Sequence, residues 1–591
     1  MGLLQKACET YDAMSYRAGI IYEGEKEPLA PISHIIVRAQ IEITLDPEGR
    51  FISARAVGQK EPKIIIPVTE ASAGRTSAPC AHPLCDQLGY VSPHDKKKHA
   101  LYIDALSDWA NSEYTHPKLL SILSYVRNGT ILSDLSGAEI IQLTSEGGSK
   151  DEKLMVCWVV NGLGEERNGP CWTDKGLMNK FIDYIYAKQE NISPVLCMVS
   201  GLMESPAEQH LKGIIPINGN AKLISANDSS GFTYRGRFNN AAQAATVSFS
   251  ASQKVHNALR WLVANQGVSF GGRTFLCWNP QGIQVPKVTG PMSRKSGAVQ
   301  RAANPSQYQK QLREALFGWK EDLPKSAGVV IAVFDAATTG RLAVTYYNEL
   351  LASDFLDRLH DWDASCYWEN GSYGIQSPYL YQIVAWAFGT LRNGKPELDD
   401  RVLRQQMQRL SSCRLDQAPF PFDIEQALVE KASHLLICEG ESRQTLLFTA
   451  CAAIRKYYFD HLKEEWDVAL DKNNSDRSYL FGRLLAIAEV VENSTYTNEN
   501  RRETNALRMQ KAFALRPMAT WRLLEEKLEP YYKQLAPGLC QYYRNQIQEI
   551  VDNLSASDSN LNQKLDDIYL LGYYHQRAYR TEKPDRQETR E

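Results

Sequence analysis

Apolar and polar positions alternate over His34 to Ile43 and again over Phe51 to Val57, on either side of the turn Asp46-Pro47-Glu48-Gly49. That pattern predicts a β-hairpin. Lys63 to Val68 predicts a third strand, and the small residues Ala71 to Pro79 predict a loop behind it. Further β-type segments occur at Leu154–Val160, Leu196–Val199, Ile214–Ile217 and Leu223–Ser225, with helical periodicity over Leu3–Tyr16 and Leu177–Ala187. A helix over Ala251–Ala264, a strand over Thr274–Trp278 and a mobile Gly/Pro/Ser-rich loop over Gln281–Ser306 follow. Val329–Phe334 and Leu342–Tyr347 read as two more strands around Thr339-Gly340.

Beyond about residue 348 the pattern turns helical. Four apolar stripes close the chain: Leu480, Leu484, Ile487, Val491; Trp521, Leu524, Leu528, Tyr531; Tyr543, Ile547, Ile550, Leu554; and Leu561, Leu565, Ile568, Leu571. They predict a C-terminal four-helix bundle. The fold class is therefore α+β, a mixed α/β N-terminal region followed by a largely helical one. The expected domains are 1–228, 229–347, 348–470 and 471–580, with a disordered tail over 581–591.

Composition adds a soluble profile, 43% hydrophobic and 23% charged, with no apolar run near the roughly 18 residues that span a bilayer. The start, Met1 to Cys8, has no basic n-region and no long apolar h-region, so the chain is expected in the cytosol without a membrane partner. Twelve scattered cysteines suggest buried thiols. Cys80, His82 and Cys85, with His94 and His99 downstream, have zinc-like spacing but no second Cys-x-x-Cys half. A Pro-containing turn accounts for them, so no metal or cofactor is expected.

Charge distribution changes the picture more. Net charge is −3, yet Ser229 to Arg313 contains no Asp or Glu. About ten acidic residues would be expected in such a window. It carries eleven cations, including Arg235, Arg237, Lys254, Arg260, Arg273, Lys287, Arg294, Lys295, Arg301, Lys310 and Arg313. Phe232, Tyr234, Phe238, Trp261, Phe270, Trp278 and Tyr308 are interleaved, as platforms for unpaired bases would be. A positive block of this kind suits a phosphate backbone. The candidate backbone contacts are Arg235, Arg237, Asn239, Asn240, Lys254, Arg273, Lys287, Arg294, Lys295 and Arg301. A second basic group, Arg501, Arg502, Arg508, Lys511, Arg516 and Arg522, lies before and along the bundle's second long helix.

Enzyme signatures are sparse. The chain has neither a phosphate loop G-x-x-x-x-G-K-[ST] nor H-E-x-x-H. His94-Asp95 and His360-Asp361 resemble metal-dependent phosphohydrolase dipeptides, which need further His and Asp ligands. His360-Asp361 follows a predicted helix over Asn348–Leu359. The alternatives to a nucleic-acid-binding protein are a metal-dependent nuclease using His360-Asp361 and a purely structural scaffold.

Several blocks carry a family likeness: Tyr479–Glu489; Lys511–Pro517 with Lys527-Leu528; Leu571–Arg577; Ile66-Pro67 through Arg75-Thr76-Ser77 to Cys85-Asp86 and Gly89–Val91; and Cys197–Gly201 with His210–Gly213. Together they resemble the large-subunit family of type I-C CRISPR effector complexes, Cascade, along nearly the whole chain. Asp86-Gln87 stands where the family pattern has Asp-Asn. The resemblance implies a non-catalytic subunit of a ribonucleoprotein with crRNA, a backbone subunit, a crRNA-processing subunit and a small subunit. It implies contact with the protospacer-adjacent motif (PAM) of double-stranded target DNA, support of the displaced strand in an R-loop, and recruitment of a separate helicase–nuclease. It also implies that the C-terminal bundle resembles the small subunit. On this footing the loop with Ser72, Gly74, Arg75, Thr76 and Ser77 is the candidate PAM reader, and Lys60 and Lys63 the holders of adjacent phosphates.

Overall fold

Buried β-branched residues and capped helices set the N-terminal architecture. The computed structural model describes residues 2–75, 78–145, 147–163, 169–224, 238, 246–293, 301–336, 340–497, 502–557 and 560–579. Strand β1 (His34–Val37) pairs antiparallel with β4 (Ile64–Pro67), while β2 (Ile41–Leu45) lies between β3 (Phe51–Ala56) and β5 (Val156–Val160). The single strand predicted over His34–Ile43 is thus two. Alternation continues across Arg38-Ala39-Gln40, but the chain changes sheets there. The β2–β3 hairpin is present, and β2 and β5 run parallel. Helices Lys96–Ala110 and Lys175–Gln189 are started by Asp95 and Asp174, whose carboxylates accept first-turn amide hydrogens. They pack a core that contains Ile41, Ile43, Trp109, Trp158 and Phe181.

A short hairpin, β6 (Val195–Leu196) with β7 (Met203–Glu204), precedes helix Phe249–Gln266, which Ser248 caps. The segment Ile214–Ile217 is a run of turns and not the strand predicted, with Ile214 and Ile215 buried. Strands β8 (Val268–Phe270), β9 (Arg273–Trp278), β10 (Gly328–Asp335) and β11 (Ala343–Leu351) form a four-stranded sheet in the order β11-β10-β9-β8. Leu259, Leu262, Leu276, Trp278, Val330 and Phe334 meet in a second core with helix Leu3–Ala13. All these elements belong to one packing unit, residues 1–284 and 328–350; residues 285–327 and 351–591 make the other.

The second unit is mainly helical. Residues 288–292, predicted to be mobile, are held by Arg414, which donates to Val288 O at 2.9 Å and Gly290 O at 2.6 Å. Arg414 also pairs with Asp363 at 2.8 Å, both side chains fully buried, and the Met292 amide donates to Asp363 at 2.6 Å. Because β11 continues to Leu351, the helix predicted from Asn348 begins at Ala352 and runs to Ser365.

Near the C-terminus, helices Arg477–Asn493, Asn505–Leu515, Pro517–Tyr532, Pro537–Ser557 and Tyr569–Ala578 follow one another. The first three predicted stripes lie on helices, but the fourth does not: Leu561 and Leu565 precede the last helix. Gly482 and Gly572 let the first and last of these helices approach. A Cβ at Gly482 would collide with the Tyr569 carbonyl, and one at Gly572 with the Tyr479 carbonyl. Trp368 stacks on His575 at 5.0 Å and the Tyr574 hydroxyl donates to Glu369 O, so this packing extends to the preceding helical region.

Two predictions follow from the packing. Gly482→Ala should destabilise the full chain by about 3 kcal/mol, the upper end for overpacking, whereas Gly538→Ala, in open space, should change little; thermal denaturation checks both. Burial holds His34, His82 and His256 down to about 4, and His210 and His575 down to about 3. The unfolded imidazoles take up protons below about 6.5, while the folded ones resist, so stability is full above that pH and falls as pH drops towards 4. Melting temperatures across that window should show the decline.

Candidate nucleic-acid interface

The segment after β4 is a helix, Glu70–Gly74, and not the loop predicted. Thr69 and Ser72 cap it reciprocally: Ser72 N donates to Thr69 Oγ1 at 3.1 Å and Thr69 N to Ser72 Oγ at 3.0 Å. Ser72 is fully buried, its hydroxyl 2.9 Å from His82 Nδ1. Arg75 leaves the helix in extended backbone and turns its guanidinium inwards. It donates to both Asp86 oxygens at 2.7 and 2.6 Å and to Cys80 O at 2.8 Å, with Tyr90 4.7 Å away. Asp86, with no exposed surface, also accepts the His82 and Gln87 amide hydrogens, each at 2.7 Å. A bidentate ion pair therefore closes Arg75 onto Asp86. Leu84 between them has a φ of 109°, a left-handed value rare for a side chain of its kind. Its carbonyl accepts from Trp158 Nε1 at 2.7 Å and also from the Tyr102 hydroxyl.

The other PAM candidates divide. Lys60 is exposed, and Lys63 pairs with Glu27. A Cβ on Gly74 would meet Gln209 Oε1, while Thr76 and Ser77 lie outside the described residues. Lys212 reaches the rim from another segment, its Nζ donating to Arg75 O at 2.8 Å.

In the basic block, Arg235, Arg237, Asn239, Asn240, Arg294 and Lys295 lie outside the described residues. Acids from beyond the block meet two of the remainder: Lys254 pairs with Asp12 at 2.7 Å and Arg273 with Asp335 at 2.8 Å. Lys287 and Arg301 are exposed, as are Lys310 and Arg313 in the same unit; Arg301 also donates to Gly371 O at 3.4 Å. The interleaved aromatics are largely core. Trp261, Trp278 and Tyr308 are buried, with Trp278 Nε1 donating to Thr10 and the Tyr308 hydroxyl to Asp363 O, and Phe270 meets Phe275 edge-on. Phe232 and Tyr234 lie outside the described residues. Apolar side chains between cations in sequence here reflect strands and helices with one face inwards.

In the C-terminal group, Arg501 lies outside the described residues. Arg502 donates to the Tyr496 and Tyr531 hydroxyls at 3.1 and 2.8 Å. Arg508, Lys511, Arg516 and Arg522 are exposed, with Arg508 and Lys511 three apart on one helix face.

Among the described residues no group of three or more His, Cys, Asp or Glu side chains could hold a metal ion. His360 sits inside its helix with Nδ1 3.6 Å from Asp361. Burial pushes the Cys85 thiol well above its ordinary range, and His82 is engaged with Ser72. No helix among the described residues is long and apolar enough to cross a membrane.

Compared with known proteins, the chain matches the model of the family described as CRISPR-associated protein (Cas_Csd1) over residues 9–581. No curated protein matches it.

The ion pair generates its own prediction. Arg75→Ala leaves Asp86 buried without its cation and should cost about 3–5 kcal/mol. Chemical denaturation of the full chain checks this; a loss below about 1 kcal/mol would mean that the two amides alone hold Asp86.

Proposed function

This chain belongs to the CRISPR-associated Cas_Csd1 family, the large subunit of the type I-C Cascade complex, and on that premise we propose that it contacts target DNA without cutting it. In this reading the closed loop from Arg75 to Asp86 approaches the PAM duplex, with Arg75 as the organiser of the loop and Lys60 as a phosphate contact. The observation that carries DNA contact is the set of exposed cations Lys287, Arg301, Lys310 and Arg313 within one packing unit. Such cations neutralise phosphates without reading bases. Guide pairing reads the target, so the protein need only recognise a short motif, neutralise backbone and hold the displaced strand.

The C-terminal helices take the role of a small-subunit-like bundle in this scheme. Arg508, Lys511, Arg516 and Arg522 run beside the displaced strand and lower the cost of keeping it unpaired. The subunit works in the cytoplasm with crRNA, the backbone, crRNA-processing and small subunits, and hands the opened duplex to a separate helicase–nuclease. Of the four divisions in this scheme, 1–228 carries the PAM-facing segment, 229–347 the basic block, 348–470 connects, and 471–580 is the small-subunit-like bundle.

Reversing Lys287 and Arg301 to Glu in the assembled complex should weaken binding to all duplexes and flatten its salt dependence. Each lost phosphate contact should lower the log–log slope by roughly one. An unaltered slope would assign these side chains to protein partners, the scaffold reading.

A further inference from the structure

Three cations outside both predicted basic groups lie side by side. Lys212 and Lys222 are partners in an antiparallel bridge, and Lys222 and Arg341 in a parallel one. The second is made by Lys222 N donating to Gly340 O at 3.2 Å and Leu342 N to Lys222 O at 3.0 Å. Directly paired residues project from the same face, about 4.5–5.5 Å apart at Cβ, and like charges so placed repel. Burial, Lys222 and Arg75 together lower the Lys212 amine, and burial lowers Lys222. Behind them His210 and His256 stack at 5.8 Å as neutral rings. His256 Nε2 is buried without a hydrogen-bond partner. Among the described residues, Asp86 is paired with Arg75, and Glu70 accepts from the Glu208 amide through one oxygen while its other is buried without a hydrogen-bond partner.

Such a row is unfavourable in the free protein and becomes favourable against an anion. Across three segments joined by single bridges it spans roughly 10 Å, the reach of a few consecutive phosphates on one nucleic-acid strand. Lys212 ties it to the closed loop through the Arg75 carbonyl. We infer that Lys212, Lys222 and Arg341 form a phosphate-binding row that takes the backbone of a target DNA strand where it leaves the Arg75 loop. The inference rests on the reading that this chain contacts target DNA and adds a site to it.

The test uses the assembled complex carrying Lys222→Ala, Arg341→Ala or Lys222→Arg, titrated with PAM-bearing and PAM-less duplex over a range of salt. Each alanine variant should lower the log–log salt slope by roughly one on both duplexes. Lys222→Arg should restore it, and the melting temperature of Lys222→Ala should be unchanged or raised, because a repulsion is relieved. Unchanged slopes in both alanine variants, with Lys287→Glu and Arg301→Glu still reducing theirs, would overturn the row and leave DNA contact standing. Unchanged slopes in every variant would remove DNA contact itself. Loss of guide RNA from the complex in place of DNA binding would assign the row to RNA and overturn the inference. Arg341 is exposed, so its variant keeps the test valid should Lys222→Ala fail to fold.

Discussion

Asp86 is a carboxylate with no route to water, and its four donors come from Arg75, His82 and Gln87. An ion buried this way is tolerated only when its lone pairs are met, so the backbone on both sides must hold one path. That path places helix Glu70–Gly74, the turn through Leu84 and the start of helix Leu88–Val91 relative to one another. Tyr102 and Trp158, from the core below, fix the Leu84 carbonyl. The described parts of the segment that the family likeness points to, up to Arg75 and from Ala78, are therefore held from beneath, and the arginine belongs to the frame.

Among the described residues, these cations fall into two classes with different consequences. Lys118 with Asp174 and Arg414 with Asp363 are fully buried pairs that specify how segments meet. Lys254 with Asp12 and Arg273 with Asp335 do similar work nearer the surface. Lys287, Arg301, Lys310 and Arg313 face solvent, and Lys212, Lys222 and Arg341 are joined in a row by backbone bridges. Only the second class leaves positive potential that a phosphate backbone could neutralise, so the charge relevant to function is smaller than the acid-free stretch alone suggests.

The β2–β3 hairpin and the helices over 175–189 and 249–266 were legible because period and cap agree: Asp174 and Ser248 stand where the first turn needs an acceptor. The break at Arg38–Gln40 was hidden, since polar–apolar alternation carries on while the chain changes partner strands. Small residues after Thr69 suggested a loop, although Thr69 and Ser72 already formed a reciprocal cap. Trp261, Trp278 and Tyr308 looked like stacking platforms because cations flank them, yet each faces a core. Arg75 was visible as a lone cation, but its ion pair with Asp86 was not. Lys222 and Arg341 carried no signal at all: they meet through isolated bridges between turn-rich segments, which leave no periodicity. His210-Leu211-Lys212-Gly213 was the one trace of that row, as part of the family likeness.

The central claim is that this subunit touches target duplex, with Lys60, close to the Arg75–Asp86 pair in sequence, as one of its phosphate contacts. A photo-cross-linking amino acid at position 60, in the exposed turn between β3 and β4, tests it in the assembled complex with labelled DNA and labelled guide RNA. The account predicts cross-links to PAM-bearing target duplex that weaken when the PAM is changed. Cross-links confined to guide RNA or to other subunits, with none to DNA, would contradict it.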